Sequence, residues 1–261
     1  MTIRLASTLA RIRQWLQSHG LLEAAVLASL LFIAGSVWMF AEVADEVREG
    51  EARSVDEFIL RALRRSDDLA CPIGPHWLVN VARDLTSLGS NAVLTVLSLG
   101  AVGFLGLRRK WGALCLVVVS VAGGAIMSTL LKSAFERPRP DLVPHLDNVS
   151  SLSFPSGHSL LSAVTYLTLG ALLARTTADR RIKIYILASA ALLVLIVGLT
   201  RIYLGVHFPT DVLAGWCAGI AWALFCSLVA RWLQRKGAVE GSAGRQNVKG
   251  WHGLPRFVRG G

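Results

Sequence analysis

Three short stretches of this 261-residue chain concentrate the groups that can do chemistry. The first begins at Lys132 and ends at Arg139-Pro140. The second is Pro155-Ser156-Gly157-His158, and the third holds Arg201, His207 and Asp211. Lys132, Arg139 and Arg201 are cations that, brought together, would hold a phosphate, each arginine being able to bind two oxygens. The second stretch stands where a polar connection turns into an apolar run, 160–174, and reads as a helix start. The free N–H groups of such a start, around Ser156 and Gly157, suit an anion and need no metal. His207 could attack phosphorus if a carboxylate held one ring nitrogen as a donor, and Asp211 follows it by four residues. Pro209 suits a first helical turn, which puts Asp211 just inside a helix and His207 just before it. His158 would protonate the leaving oxygen and later activate water.

The elements that must position these groups are membrane spans. The chain is 53% hydrophobic and 17% charged, with a mean hydropathy of +0.53, the composition of a membrane protein. Six apolar runs, at 21–41, 91–107, 111–131, 158–175, 182–200 and 210–231, approach the length needed to cross about 30 Å of hydrocarbon. The second is short and diluted by Gly100, Gly103 and Gly106. The first is too long for a signal peptide and reads as an uncleaved span. Segments 1–20, 108–110, 175–183 and 231–261 carry 17 of the 27 Lys and Arg residues and only Asp179 and Glu240 as acids. Segments 42–90, 132–157 and 201–211 are richer in acids than in bases. This asymmetry puts both termini in the cytoplasm and all three reactive stretches on the external face. The net charge of +10 belongs to that pattern, so nucleic acid is not expected as a partner. Cys71, Cys115, Cys217 and Cys226 have no metal-ligand spacing, and no structural disulfide is expected.

The domain organisation follows: a cytoplasmic N-terminus at 1–20, one membrane domain at 21–235, and a basic tail at 236–261. The tail is expected to be loose or attached to anionic lipid. Segment 42–90 is the one long external connection. Ser54 and Glu57 have capping-box spacing, and Val55, Phe58, Ile59 and Ala62 follow at helical intervals, so an interfacial amphipathic helix is expected there. Cys71-Pro72-Ile73-Gly74-Pro75 breaks it, and a second amphipathic stretch runs from Trp77 through Leu78, Val81 and Leu85. Arg83 and Asp84 could rim a site or belong to a solvated face, the second reading being favoured. Arg137, Asp141 and His145 read as solvated loop residues. Gly123-Gly124 and Gly215-x-x-x-Gly219 permit close helix contact, within one bundle or between copies.

Taken together, the three stretches resemble the three-part signature of the type 2 phosphatidic acid phosphatase family. That family includes lipid phosphate phosphatases and undecaprenyl-diphosphate phosphatases, and it shares its site with vanadium haloperoxidases. The family pattern is Lys, six residues, Arg-Pro; then Pro-Ser-Gly-His; then Ser-Arg, five residues, His, three residues, Asp. Lys132 with Arg139-Pro140, Pro155 to His158, and Arg201, His207 and Asp211 match it, with Thr200 where the family has Ser. The likeness covers roughly residues 80–230. It implies an all-α, six-transmembrane-helix bundle of the acid phosphatase/vanadium haloperoxidase type, acting without metal or other cofactor. In the roles it implies, His207 is the nucleophile, His158 the acid/base and Asp211 the orienter. Lys132, Arg139, Arg201, Ser156 and Gly157 bind phosphate.

The expected activity is hydrolysis of a lipid phosphate monoester or diphosphate through a phosphohistidine. Such a chain belongs in a bacterial-type inner membrane, its site open to the external or periplasmic face. Candidate substrates are undecaprenyl diphosphate, phosphatidic acid, phosphatidylglycerol phosphate and lipid A phosphates. The rival within the fold is phosphotransfer from the same intermediate to another lipid. The rival outside it is a non-catalytic lipid transporter or binding protein, which calls for charges along a mid-membrane pathway that these spans lack.

Overall fold

The computed structural model describes residues 2–147 and 151–235, which form eight helices and no strand. They are α1 (Thr2–Glu49), α2 (Arg53–Ala62), α3 (His76–Ser87), α4 (Asn91–Leu107), α5 (Trp111–Phe135), α6 (Gly157–Ala174), α7 (Arg180–Tyr203) and α8 (Pro209–Arg235). Hydrocarbon offers no partner for peptide groups, so a crossing segment must close its hydrogen bonds within itself. Five stretches have the length and hydropathy for this: Ala25–Glu49 of α1, all of α5, α6 and α7, and Pro209–Gln234 of α8. The 17-residue α4 meets the same test only together with α3, to which it is joined across a 41° bend; counted as one broken span, that pair brings the number to six. It stops at Arg108-Arg109-Lys110, where Arg109 turns the chain with φ +54°.

Helix α6 lies at the centre, packed against α5, α7 and α8, while α1 lies on α8, α4 on α5 and α3 on α7. The contact between α6 and α8 is a backbone approach. A Cβ on Gly215 would come within 2.7 Å of the Ser156 carbonyl oxygen, and one on Gly219 within 2.6 Å of that of Leu160. Small residues therefore serve packing inside this bundle, and they press the third reactive stretch onto the second. Tryptophans fasten other pairs by their N–H groups: Trp216 donates to the Val194 carbonyl (3.1 Å) and Trp222 to that of Ser120 (2.9 Å). Phe40, Phe135 and Phe154 cluster with ring centroids 4.7–6.4 Å apart, and so tie the segment before α6 to α1 and α5.

The connection after α1 differs from its sequence reading in three ways. Helix α1 continues to Glu49, well past residue 41. Ser54 and Glu57 form no capping box: α2 starts after Ala52 without a side-chain cap, and Glu57 pairs with Arg53 at 2.8 Å. The buried face of α2 carries Asp56 and Leu60, whereas Phe58 is 72% exposed. Leu60 packs with Ile202 and Val212, and Asp56 finds polar partners in the bundle. Those partners lie far off in sequence, so apolar periodicity, which marks the exposed face of Val55 and Phe58, gave no sign of them. Arg83 donates to the Leu146 carbonyl (2.7 Å), bracing α3 on the α5–α6 connection. All four cysteines are free. The basic tail, 236–261, lies outside the described residues.

Candidate active site

The three stretches meet at one end of the bundle because each sits at the same end of its helix. Lys132 is in the last turn of α5 and Arg201 in the last turn of α7. Gly157 opens α6, and Asp211 lies in the first turn of α8. Two connections carry the rest: 136–156, with Arg139, and 204–208, with His207. Backbone hydrogen bonds lock them together. The Ser156 N–H donates to the Asp211 carbonyl (2.9 Å), Ser153 N–H to that of Arg137 (2.9 Å) and Leu146 N–H to that of Leu204 (3.0 Å). Gly205 makes the turn out of α7 with φ +74°, a conformation disfavoured for residues with a Cβ. A Cβ there would come within 2.5 Å of the Arg64 guanidinium.

The tautomer of His207 follows from its neighbours. Arg139 Nη1, which can only donate, lies 3.2 Å from Nε2, so Nε2 carries the lone pair. Nδ1 therefore bears the hydrogen and faces Asp211 Oδ2 at 3.3 Å, with Ser153 Oγ at 3.4 Å. The same carboxylate oxygen accepts from Ser153 Oγ and from the Phe208 N–H (2.9 Å). His207 and Asp211 are both buried. Burial holds the His207 pKa down at about 4; the hydrogen bond and charge of Asp211 oppose this, and Arg139 and Arg201 add to it. The ring is thus neutral at neutral pH, with its unprotonated nitrogen aimed at the cations.

Those cations line a cavity of about 530 Å³ with His158, Gly157 and His207. Lys132 Nζ donates to the Leu152 carbonyl. Arg139 also donates to the carbonyls of Ser151 (2.7 Å) and Val206 (2.6 Å). Burial, followed by the charge of Arg201, lowers the Arg139 pKa to about 10, which leaves it charged at neutral pH. Arg201 pairs with Asp147 at 2.6 Å and reaches Thr86 Oγ1 at 3.2 Å. The cations are therefore gathered, but held on protein oxygens that an entering phosphate would replace. Ser156 is fully buried, and its side chain caps α6 through the Ser159 N–H and hydroxyl. From the cations the cavity continues between α4, α5 and α6 along Leu94, Val121, Ala125 and Leu161.

Four residues outside the signature belong to this centre. Arg137, read from sequence as a solvated loop residue, is mostly buried, stacks on Phe208 (4.3 Å) and joins Asp211 Oδ1 (2.7 Å) to Asp56 Oδ2 (2.8 Å). It stands outside the signature, and only the fold shows the two carboxylates that draw it in. Asp56, Asp147 and Ser153 likewise carried no local signal. His145 lies on the Pro140 carbonyl (2.6 Å), away from the His207 centre.

A membrane-crossing helical bundle with a cationic pocket and a histidine–carboxylate pair at one end defines the class: a multi-pass membrane protein built to bind and attack an anion. The chain belongs to the PAP2 superfamily, whose family model matches residues 113–235. It is 33% identical over 186 residues to phosphatidylglycerophosphatase B of Bacillus subtilis, a match covering 69% of this chain and 86% of that protein. It is 31% identical over 150 residues to decaprenylphosphoryl-5-phosphoribose phosphatase of Mycobacterium tuberculosis, covering 54% and 75%. Its structure matches the crystal structure of a transmembrane PAP2-type phosphatidylglycerolphosphate phosphatase from Bacillus subtilis. The TM-score is 0.69 at 29% identity, with 78% of this chain and 98% of that one covered. The protein is accordingly a membrane phosphatase.

Proposed function

We propose that the protein hydrolyses the phosphate monoester or diphosphate of a membrane lipid through a phosphohistidine at His207. The observation that carries this reading is the fixed tautomer of His207, with Nδ1–H on Asp211 and the Nε2 lone pair directed at Arg139. On substrate entry Arg139, Lys132 and Arg201 transfer to the phosphate oxygens, joined by the N–H groups of Gly157 and His158 at the start of α6, while the Ser156 N–H stays on the Asp211 carbonyl and its side chain caps the helix. Nε2 attacks phosphorus, the bond from phosphorus to the leaving oxygen breaks, and His158 gives that oxygen its proton. His158 then takes a proton from water as the water oxygen attacks phosphorus. The P–N bond breaks, and its electron pair returns to Nε2. Asp211 stabilises the imidazolium that exists between the two steps.

The apolar continuation of the cavity between α4, α5 and α6 suits a lipid entering sideways, its headgroup on the cations and its chains toward the bilayer. The charge pattern of the loops supports cytoplasmic termini and a site on the external face of a bacterial inner membrane. Phosphatidylglycerol phosphate heads the candidates, supported by what the relative of highest quoted identity is named for. Phosphatidic acid, undecaprenyl diphosphate and lipid A phosphates follow. The test is phosphate release from each of these lipids by purified protein with a chelator present. Release from at least one, abolished in His207→Ala, is expected. A His207→Ala protein that keeps wild-type release on every lipid overturns the reading.

A further inference from the structure

Asp211 has two oxygens, and the proposed mechanism uses only one. Oδ2 faces the imidazole, together with Ser153 and the Phe208 N–H. Oδ1 belongs to Arg137, whose Nη1 lies 2.7 Å away. With both oxygens held, the carboxylate plane cannot swing about its bond to the backbone. Arg137 is held in its turn. Its guanidinium lies over the Phe208 ring, Nη1 also reaches Thr210 Oγ1 (2.8 Å), and Nη2 binds Asp56 Oδ2 (2.8 Å). Asp56 is fully buried, and it also accepts from the Thr210 N–H (3.0 Å) and hydroxyl (2.6 Å). A carboxylate from α2 thus serves the open N–H groups at the start of α8, one residue from Asp211.

We propose that Asp56 and Arg137 are positioning residues for the phosphatase reaction: α2 presents Asp56 to hold Arg137 on the far oxygen of Asp211, setting the angle and the charge that Asp211 offers His207. The two partners do different work. Arg137 fixes the carboxylate in place, but alone it would cancel the charge that an imidazolium needs. Asp56 takes up half of the guanidinium, so the buried set of two carboxylates and one cation stays net negative beside the ring. The first external helix is by this reading a working part of the site, although its Asp56 lies 145 residues or more along the chain from any third-stretch residue.

The proposal rests on His207 being the nucleophile, and its test separates the two. The full-length protein is purified in detergent, and kcat and kcat/KM for dioleoyl phosphatidic acid are followed from neutral into acid pH. Other charged groups face the ring: Arg139 from the 136–156 connection, Arg201 from α7 and His158 from α6, with Lys132 of α5 facing Asp211. They are unchanged in every variant. Arg137→Gln removes a positive charge and frees the carboxylate, so kcat falls about tenfold to a hundredfold, and the acid limb of kcat/KM moves to higher pH. Asp56→Asn removes a negative charge, so kcat falls less and the limb moves to lower pH. Arg137→Lys keeps the charge but cannot bridge two carboxylates, so kcat falls while the limb stays.

Limbs that move in opposite directions are not produced by loss of folding, which lowers active enzyme at every pH alike. If either single variant does not fold, Asp56→Asn/Arg137→Gln, which removes both members of the outer pair, decides by its kcat. A loss of about tenfold or more at an unchanged thermal midpoint supports the proposal, and a wild-type kcat overturns it. If folded Arg137→Gln and Asp56→Asn both keep the wild-type limb and kcat while His207→Ala is inactive, the positioning role falls and the nucleophile stands. An active His207→Ala sinks the nucleophile instead.

Discussion

The two connections that build the site are made in opposite ways. The short one, 204–208, is set by its own backbone. Gly205 turns at φ +74°, the Val206 N–H returns to the Arg201 carbonyl (3.2 Å), and Asp211 reaches back to the Phe208 N–H. It delivers His207 to within one residue of the start of α8. In the long one the described residues, 136–147 and 151–156, form no helix or strand, and they are held by what their side chains grip elsewhere. Arg137 grips α2 and α8, Arg139 grips the short connection, Asp147 grips α7 and Ser153 grips Asp211. A nucleophile needs one fixed direction of attack, and a tight local turn provides it. Phosphate ligands need to exchange protein oxygens for substrate oxygens, and side chains on a long strap can do so without unfolding a helix. Placement by local turn and placement by long-range grip thus divide the chemistry between them.

Perturbing each connection sharpens this contrast. The largest effect belongs to the short one: on the proposed mechanism His207→Ala removes the attacking atom, and phosphate release is expected to fall by about a thousandfold or more in a radiolabelled turnover assay. In the long one, Arg139→Lys keeps a charge but loses the fork that now spans Ser151, Val206 and His207. A fall in kcat/KM of about tenfold to a hundredfold is expected, with most of it in KM, read from steady-state kinetics. Protonation comes next. On the proposed mechanism His207 attacks only when neutral, so kcat/KM is expected to stay high above its pKa of about 4 and to fall about tenfold per unit below it, in a profile taken on the free enzyme. The smallest effect is on stability. Gly205→Ala places a Cβ against Arg64 and Val143 at a left-handed φ, and is expected to cost about 1–3 kcal/mol by the shift in thermal midpoint.

The signature residues were legible because their chemistry and their spacing are local facts. Lys132, Ser156, Gly157, His158, Arg201 and Asp211 stand at helix ends that apolar runs and helix-start residues mark, Arg139 and His207 lie in the connections beside them, and α6 and α8 begin where Ser156 and Pro209 suggest. The capping of α2 was misread, because Ser54 and Glu57 are the second and fifth residues of the helix, two positions past a capping box on Ala52. Arg137 was misread for a deeper reason. A charged residue in a polar connection looks solvated unless its counter-charges are known, and Asp56 and Asp211 are 81 and 74 residues away. Asp147 and Ser153 were silent for the same cause.

By itself the sequence determined the apolar helices of the bundle, the one end at which the reactive stretches gather, and which histidine has a carboxylate four residues on. Hydrocarbon forces helices on apolar runs, and helix connectivity then fixes the end at which each loop emerges. The tertiary structure alone decided the orientation of that carboxylate, the protein oxygens that hold the cations, and the recruitment of α2 to the site. Those depend on buried charges finding partners across the bundle. Burial makes each pairing strong, yet only the folded chain says which groups are near enough to pair.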